Sequence, residues 1–153
     1  MKPLTWWFRV VGGYNVLLGA ASLGYIAFSQ EHFESGMPYH VTNSVRSAFV
    51  DAWFPFACDI LIVGVALLVA SKRPERNIGL AWLAIALEVA HGIAHNVFLI
   101  RRGYEAGGYI AFLAFTCAMV IWGVWAIIRA GDAQQSSEQS DPAHDPATLL
   151  AQQ

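Results

Sequence analysis

Four stretches of this chain are almost free of polar side chains, and polar segments separate them. They run from Val10 to Phe28, Ala52 to Ala70, Ile78 to Ile100 and Tyr109 to Ile128. A helix rises ~1.5 Å per residue and the hydrocarbon core of a bilayer is ~30 Å thick, so about 20 apolar residues are enough to cross it. Each stretch therefore predicts a transmembrane helix. The fourth holds no charged residue and no polar stripe, whereas a soluble bundle helix would carry one at helical period. The predicted fold class is all-α: an integral membrane four-helix bundle spanning residues 1–130.

The segments between the runs set the topology. The stretch Ser29–Asp51 is polar, with turns marked by Gly36, Pro38 and Asn43 and a short surface helix expected near Val45–Asp51. Pro55 falls in the first turn of the second predicted span, where its missing N–H costs little. The connection Lys72–Asn77 is short and predicts that spans two and three are antiparallel neighbours. Past Gly131 the composition turns to Gln, Ser, Asp and Pro, so 131–153 is expected to be a disordered cytoplasmic tail. Lys2 and Arg9 resemble the basic start of a signal peptide, but the apolar run that follows is longer than the ~7–15 residues of such a segment. It is expected to be a retained helix.

Composition agrees. The chain is 56% hydrophobic and 13% charged, against roughly 25% charged residues in ordinary soluble domains. A net charge of −2 leaves no basic footprint for nucleic acid. The two cysteines, Cys58 and Cys117, lie inside apolar runs and read as small hydrophobes rather than a disulfide framework. With both termini cytoplasmic, Lys2, Arg9, Lys72, Arg73, Arg76 and Arg129 lie inside, and only Arg46, Arg101 and Arg102 lie outside. That is the positive-inside orientation of a multi-pass membrane protein. Trp6, Trp7, Trp82 and Trp125 then fall toward the inner surface, and Trp53, Tyr104 and Tyr109 toward the outer one.

The candidate site consists of residues that lipid should exclude: Asp59 in the second span, and Glu88, His91 and His95 in the third. Charged groups at membrane depth cost several kcal/mol and usually face the bundle interior and pair. On a regular α-helix Glu88, His91 and His95 fall within about 60° of one another. Counting residues from the outer ends puts Asp59 about 10 Å deep, His95 about 8 Å and His91 about 14 Å, so the three share a level. Glu88 sits lower, near the midplane. The expectation is one buried intramembrane polar cluster of Asp59, Glu88, His91 and His95.

Several chemistries are compatible with that cluster. His91 and His95, at i and i+4, can hold one metal ion, with the carboxylates completing its shell. A haem iron can take one of the histidines as axial ligand. Carboxylates and imidazoles in low dielectric also suit proton handling, either in acid–base chemistry or in a proton-linked transporter. The plainest alternative is an Asp–His hydrogen bond that locks two spans together, and the remaining one is a pocket whose polar groups orient a small apolar ligand. No catalytic constellation stands out, which favours a non-enzymatic role. A transport path would require a homo-oligomer, since four spans enclose a narrow interior.

Lesser features have plainer readings. Asn15 and Thr116 are expected to hydrogen-bond across helices. Ala86, Ala90 and Ala94 form a small-residue ladder, and Gly12, Gly19 and Gly64 offer further points of close helix approach. His32 and His40, with Glu31 and Glu34, read as a solvated outer loop rather than a metal site.

The run W-W-F-R-V-V-G-G-Y-N-V-L-L-G (Trp6 to Gly19) resembles the BphX-like membrane proteins. So do F-V-D-A-W-F-P-F-A-C-D (Phe49 to Asp59) and R-N-I-G-L-A-W-L-A-I-A-L-E-V-A-H-G-I (Arg76 to Ile93), followed by the R-R-G-Y of Arg101–Tyr104. The resemblance covers most of residues 5–128 and leaves out the tail. It implies a four-span protein of uncharacterised function, whose founding member is encoded near genes for the breakdown of biphenyl and related aromatics. It also implies that acidic residues at Asp51, Asp59 and Glu88 belong to the family pattern, and it assigns no catalytic residue.

Overall fold

The structure is a computed structural model that describes residues 2–29, 38, 40–104 and 106–139. All regular structure among them is helical. Helix α1 is Lys2–Phe28 and α2 is Asn43–Ala70. A 3₁₀ turn, Pro74–Arg76, leads into α3, Ile78–Arg101, and α4 is Ala106–Gln139. All four are long and apolar enough to cross a membrane.

Their surface is that of a membrane protein. No more than 28% of the apolar window of any of the four helices is buried inside the bundle. Leu17, Ile62 and Ile121 are 64–72% exposed. In water such a continuous apolar surface would drive aggregation, and in lipid it has its natural solvent. Basic and aromatic side chains pair at the ends: Arg9 lies over Trp6 and Arg129 over Trp125, at one end, and Arg102 lies over Phe98 at the other. Aromatic and cationic side chains of this kind sit at bilayer interfaces.

Because lipid is as apolar as leucine, the helices are held together by close packing rather than by water exclusion. The tightest pairing is α1 with α2. A Cβ on Gly64 would come 2.6 Å from the Val16 amide nitrogen and 2.9 Å from the Gly12 carbonyl oxygen, and one on Gly19 would come 2.8 Å from the Leu61 amide nitrogen. The helix backbones touch there, and only glycine fits. The expected role of Gly12, Gly19 and Gly64 is thus realised. The ladder on the third span is not: Ala86, Ala90 and Ala94 are all exposed on the outer side of α3.

At the other face of α1, Leu4, Trp7, Phe8 and Val11 join Ala81, Ala84 and Ile85 of α3 and Met119, Ala126 and Ile127 of α4 in one buried cluster. Trp7 is fully buried and donates its indole N–H to the Met119 carbonyl at 2.9 Å. A Cβ on Gly123 would lie 2.7 Å from that indole. Trp7 is therefore a core residue, while its neighbour Trp6 is exposed. Helix α3 packs mainly on α4 and touches α2 sparsely, so the short turn makes α2 and α3 consecutive without making them a close pair.

Several boundaries differ from expectation, and α1 already begins at Lys2 rather than Val10. The surface helix expected at Val45–Asp51 and the second span form one helix, started by Thr42, whose hydroxyl accepts from the Val45 N–H at 3.4 Å. Pro55 consequently lies inside α2 and not in its first turn. One missing N–H does not break a helix whose other residues all favour helical pairing in lipid. Helix α4 continues past Ile128 and Gly131 to Gln139, through Ala, Gln and Glu residues of good helix propensity. The rest of the expected tail, with Glu31, His32, Glu34 and Gly36 of the first connection, lies outside the described residues. The R-R-G-Y turn closes α3: Gly103 takes φ 85°, and the Tyr104 N–H returns to the Leu99 carbonyl at 3.3 Å. Glycine takes this left-handed conformation without a Cβ penalty.

Candidate functional site

The centre of α3 is not an α-helix. Residues Glu88–Ala94 form a π-helix, in which the His95 N–H reaches back to the Ala90 carbonyl, five residues away. The widened turn rotates the residues that follow it relative to an α-helical wheel. As a result Glu88 is half-buried, Gly92 and Asn96 are buried, and His91 and His95 are exposed. The carbonyls disturbed by the π turn are capped by Asn96, whose side-chain amide donates to Gly92 at 2.8 Å and His91 at 3.3 Å. Interruptions of this kind recur at functional sites and at points of helix distortion.

Glu88 forms the inward half of the site. Its Oε1 accepts a hydrogen bond from the Asn15 side-chain amide at 3.1 Å, which also donates to the Val11 carbonyl at 3.0 Å. Asn15 is 7% exposed. Tyr14 and His91 lie near enough to feel the Glu88 charge. Tyr14 packs on Phe115 with ring centroids 4.9 Å apart. Opposite, Thr116 of α4 is 1% exposed, and its hydroxyl has no hydrogen-bond partner among the described residues. A Cβ at Gly92 would overlap the Thr116 γ-methyl, and would come 2.9 Å from its hydroxyl and 3.2 Å from Glu88 Oε2. Glycine at 92 is what lets α3 and α4 close over the carboxylate. The packing is tight, and it leaves this inner site without room for a ligand beside Gly92.

The outward half lies along the α2–α3 seam. Phe49 stacks on Trp53 with centroids 5.6 Å apart, Trp53 meets Phe56 edge-on at 4.8 Å, and Phe56 meets the His91 imidazole edge-on at 5.1 Å. This file of rings leads along α2 to α3. Asp59, one turn beyond Phe56, is exposed, as are His91 and His95.

The four residues expected to form one buried cluster are thus divided. Glu88 points inward and pairs with Asn15, while Asp59, His91 and His95 face outward at the level of lipid. Two physical causes combine: α2 stands off from α3, and the π turn changes the phase of the third span. Among the described residues, no three His, Cys, Asp or Glu side chains come together in a way that could hold a metal ion. Asn96 and Gly92 were missed by the sequence reading. A polar amide at i+8 and a glycine at i+4 from a membrane glutamate mark the inner face, but only once the phase of the helix is known.

Compared with known proteins, the chain matches no family model, no curated protein and no solved structure.

Proposed function

We propose that the chain is a non-enzymatic, multi-pass protein of a cell inner membrane, with both termini cytoplasmic, that binds small apolar aromatic compounds dissolved in the bilayer and serves as an accessory to their handling. The observation that carries this reading is the outward row of Asp59, His91 and His95 beside the ring file Phe49–Trp53–Phe56. Ionisable groups at membrane depth are costly and are kept for function. Here they lie beside the ring file on exposed sides of α2 and α3, where a flat ligand dissolved in the bilayer would meet them. The rings supply stacking and edge contacts. Asp59 accepts a hydrogen bond from a ligand hydroxyl, and an imidazole donates or accepts one, which fixes the ligand's orientation. The Glu88–Asn15 bond has a separate, structural role in this reading: it fixes α1 against α3 so that the seam keeps its shape. The resemblance to BphX-like proteins points the same way, through the aromatic breakdown genes that accompany the founding member.

The test is binding of 2-hydroxybiphenyl to the protein in nanodiscs, followed by tryptophan fluorescence and compared with empty nanodiscs to remove partitioning. Saturable quenching is expected, weakened roughly tenfold by Asp59→Ala or by His91→Ala/His95→Ala and unchanged by Glu88→Gln, in keeping with ~1–2 kcal/mol for a lost hydrogen bond. Quenching that scales with lipid alone, or that ignores all three outward residues, overturns the reading.

A second reading is a metal held by His91 and His95. It is favoured by their exposed positions four residues apart on α3, and its remaining ligands would come from a second copy or from a bound molecule. Near-stoichiometric metal in purified protein, absent from His91→Ala/His95→Ala, would establish it in place of the first. Colourless, metal-free protein with no haem band would remove it.

A further inference from the structure

At the end of the bundle that carries Lys72, a cavity of about 560 Å³ opens between the last turn of α2 and the first turn of α3. Its lining has two chemistries. Lys72, Arg73 and Asn77 line it with polar groups, and Ala66, Val69, Ala70 and Leu80 line it with an apolar floor. Lys72 and Arg73 are exposed. The backbone acceptors of this corner are already used. The Ser71 hydroxyl takes the Leu68 carbonyl at 2.7 Å, the Lys72 and Arg73 N–H groups take Val69 and Ala70, and the Asn77 side chain takes the Arg73 carbonyl at 2.7 Å. Asn77, turned back toward Arg73, leaves the first turn of α3 without a side-chain cap. The first turn of α3 favours an anion there while the last turn of α2 opposes it, so the two cations carry the attraction.

We propose that this groove is a binding site for an anionic phospholipid, with the phosphate held by Lys72 and Arg73 and an acyl chain lying on Ala66, Val69 and Leu80. The depth distinguishes a lipid from a soluble anion. Ala66 lies six residues below Lys72, about 9 Å along the helix, where a phosphate or nucleotide gains nothing and a hydrocarbon chain gains contact. The level is right as well: exposed Trp6 and Trp125, beside Arg9 and Arg129, mark the headgroup zone at the same end of the bundle. Basic pockets between membrane helices recognise lipid phosphates in this way. The groove is independent of the outward row at Asp59, His91 and His95.

The experiment is the thermal midpoint of the full-length protein in neutral detergent, titrated separately with phosphatidylglycerol, phosphatidylcholine and inorganic phosphate. Phosphatidylglycerol alone is expected to raise the midpoint saturably. Lys72→Gln/Arg73→Gln should weaken half-saturation roughly tenfold or more. Arg101→Gln/Arg102→Gln, with the same loss of charge at the opposite end, should leave it unchanged. Ala66→Phe, which fills the floor and keeps both cations, should weaken it too. The proposal fails if Lys72→Gln/Arg73→Gln titrates like wild type, if Arg101→Gln/Arg102→Gln loses as much, or if inorganic phosphate reproduces the shift. Full retention by Ala66→Phe would also overturn it, since the floor would then hold no chain.

Discussion

The side-chain amide of Asn15 donates to the carboxylate of Glu88 at 3.1 Å and so ties the first helix to the third inside the bundle. These residues lie far apart in the chain, on helices that otherwise share few contacts. Interhelical polar bonds in membranes are worth about 0.6 kcal/mol on average and at most about 1.7 kcal/mol. A double-mutant cycle of Asn15→Ala and Glu88→Ala should give a coupling in that range when unfolding is measured in bicelles. Glu88→Gln, which preserves an acceptor for the amide, should keep most of the stability. Strictly additive losses would mean that the two side chains act independently.

The Gly64 contact offers a sharper packing test. A methyl there meets backbone atoms of α1, which cannot rotate away. Gly64→Ala should cost about 1–3 kcal/mol, the usual penalty of overpacking. Gly13→Ala, on the same helix pair but with nothing within 4 Å, should be neutral or gain up to about 1 kcal/mol from helix propensity. Thermal midpoints of the two variants side by side decide the matter. Equal effects would show that α1 and α2 do not approach as closely as described.

Thr116 carries a buried hydroxyl without a partner among the described residues, yet its γ-methyl fills the space over Gly92. Replacing the hydroxyl by a methyl removes an unsatisfied polar group, so Thr116→Val should be neutral or stabilising by about 1 kcal/mol. Thr116→Ser keeps the hydroxyl and loses the methyl, and should destabilise by about 1 kcal/mol. The reverse order in chemical denaturation would mean that the hydroxyl has found a partner, such as a water or the Glu88 carboxylate.

Asp59 faces outward at membrane depth, where a carboxylate costs roughly 2.5–3.5 kcal/mol near the helix centre. Asp59→Leu should therefore stabilise the protein in nanodiscs by about 1 kcal/mol or more, while abolishing the aromatic-ligand binding proposed above. A residue that lowers stability and supports binding is the expected signature of a functional position. Loss of stability in Asp59→Leu would instead place the carboxylate in a structural bond.

Much of the fold follows from local sequence. Hydrophobic length alone specifies four helices, because each apolar run must satisfy its own backbone in lipid and a helix does so without partners. The close approach at Gly12, Gly19 and Gly64 and the cross-helix use of Asn15 were also legible, since small and polar residues in a membrane helix have few other uses. The ends of the helices were harder to place. Apolarity marks where lipid begins, whereas helix termination depends on capping and propensity, so α2 begins before its apolar run and α4 continues beyond its own.

The site divides at a different point. The sequence by itself determined that Asp59, Glu88, His91 and His95 lie at membrane depth, because depth is a count of residues along a helix. Only the tertiary structure decided which way each one faces. Facing depends on the phase of the third helix, reset by a π turn between Glu88 and Ala94, and on which neighbours pack against it. At that turn Gly92 closes on Thr116, and Asn96 takes up the carbonyls of His91 and Gly92. No regular helical period written along the chain contains that information.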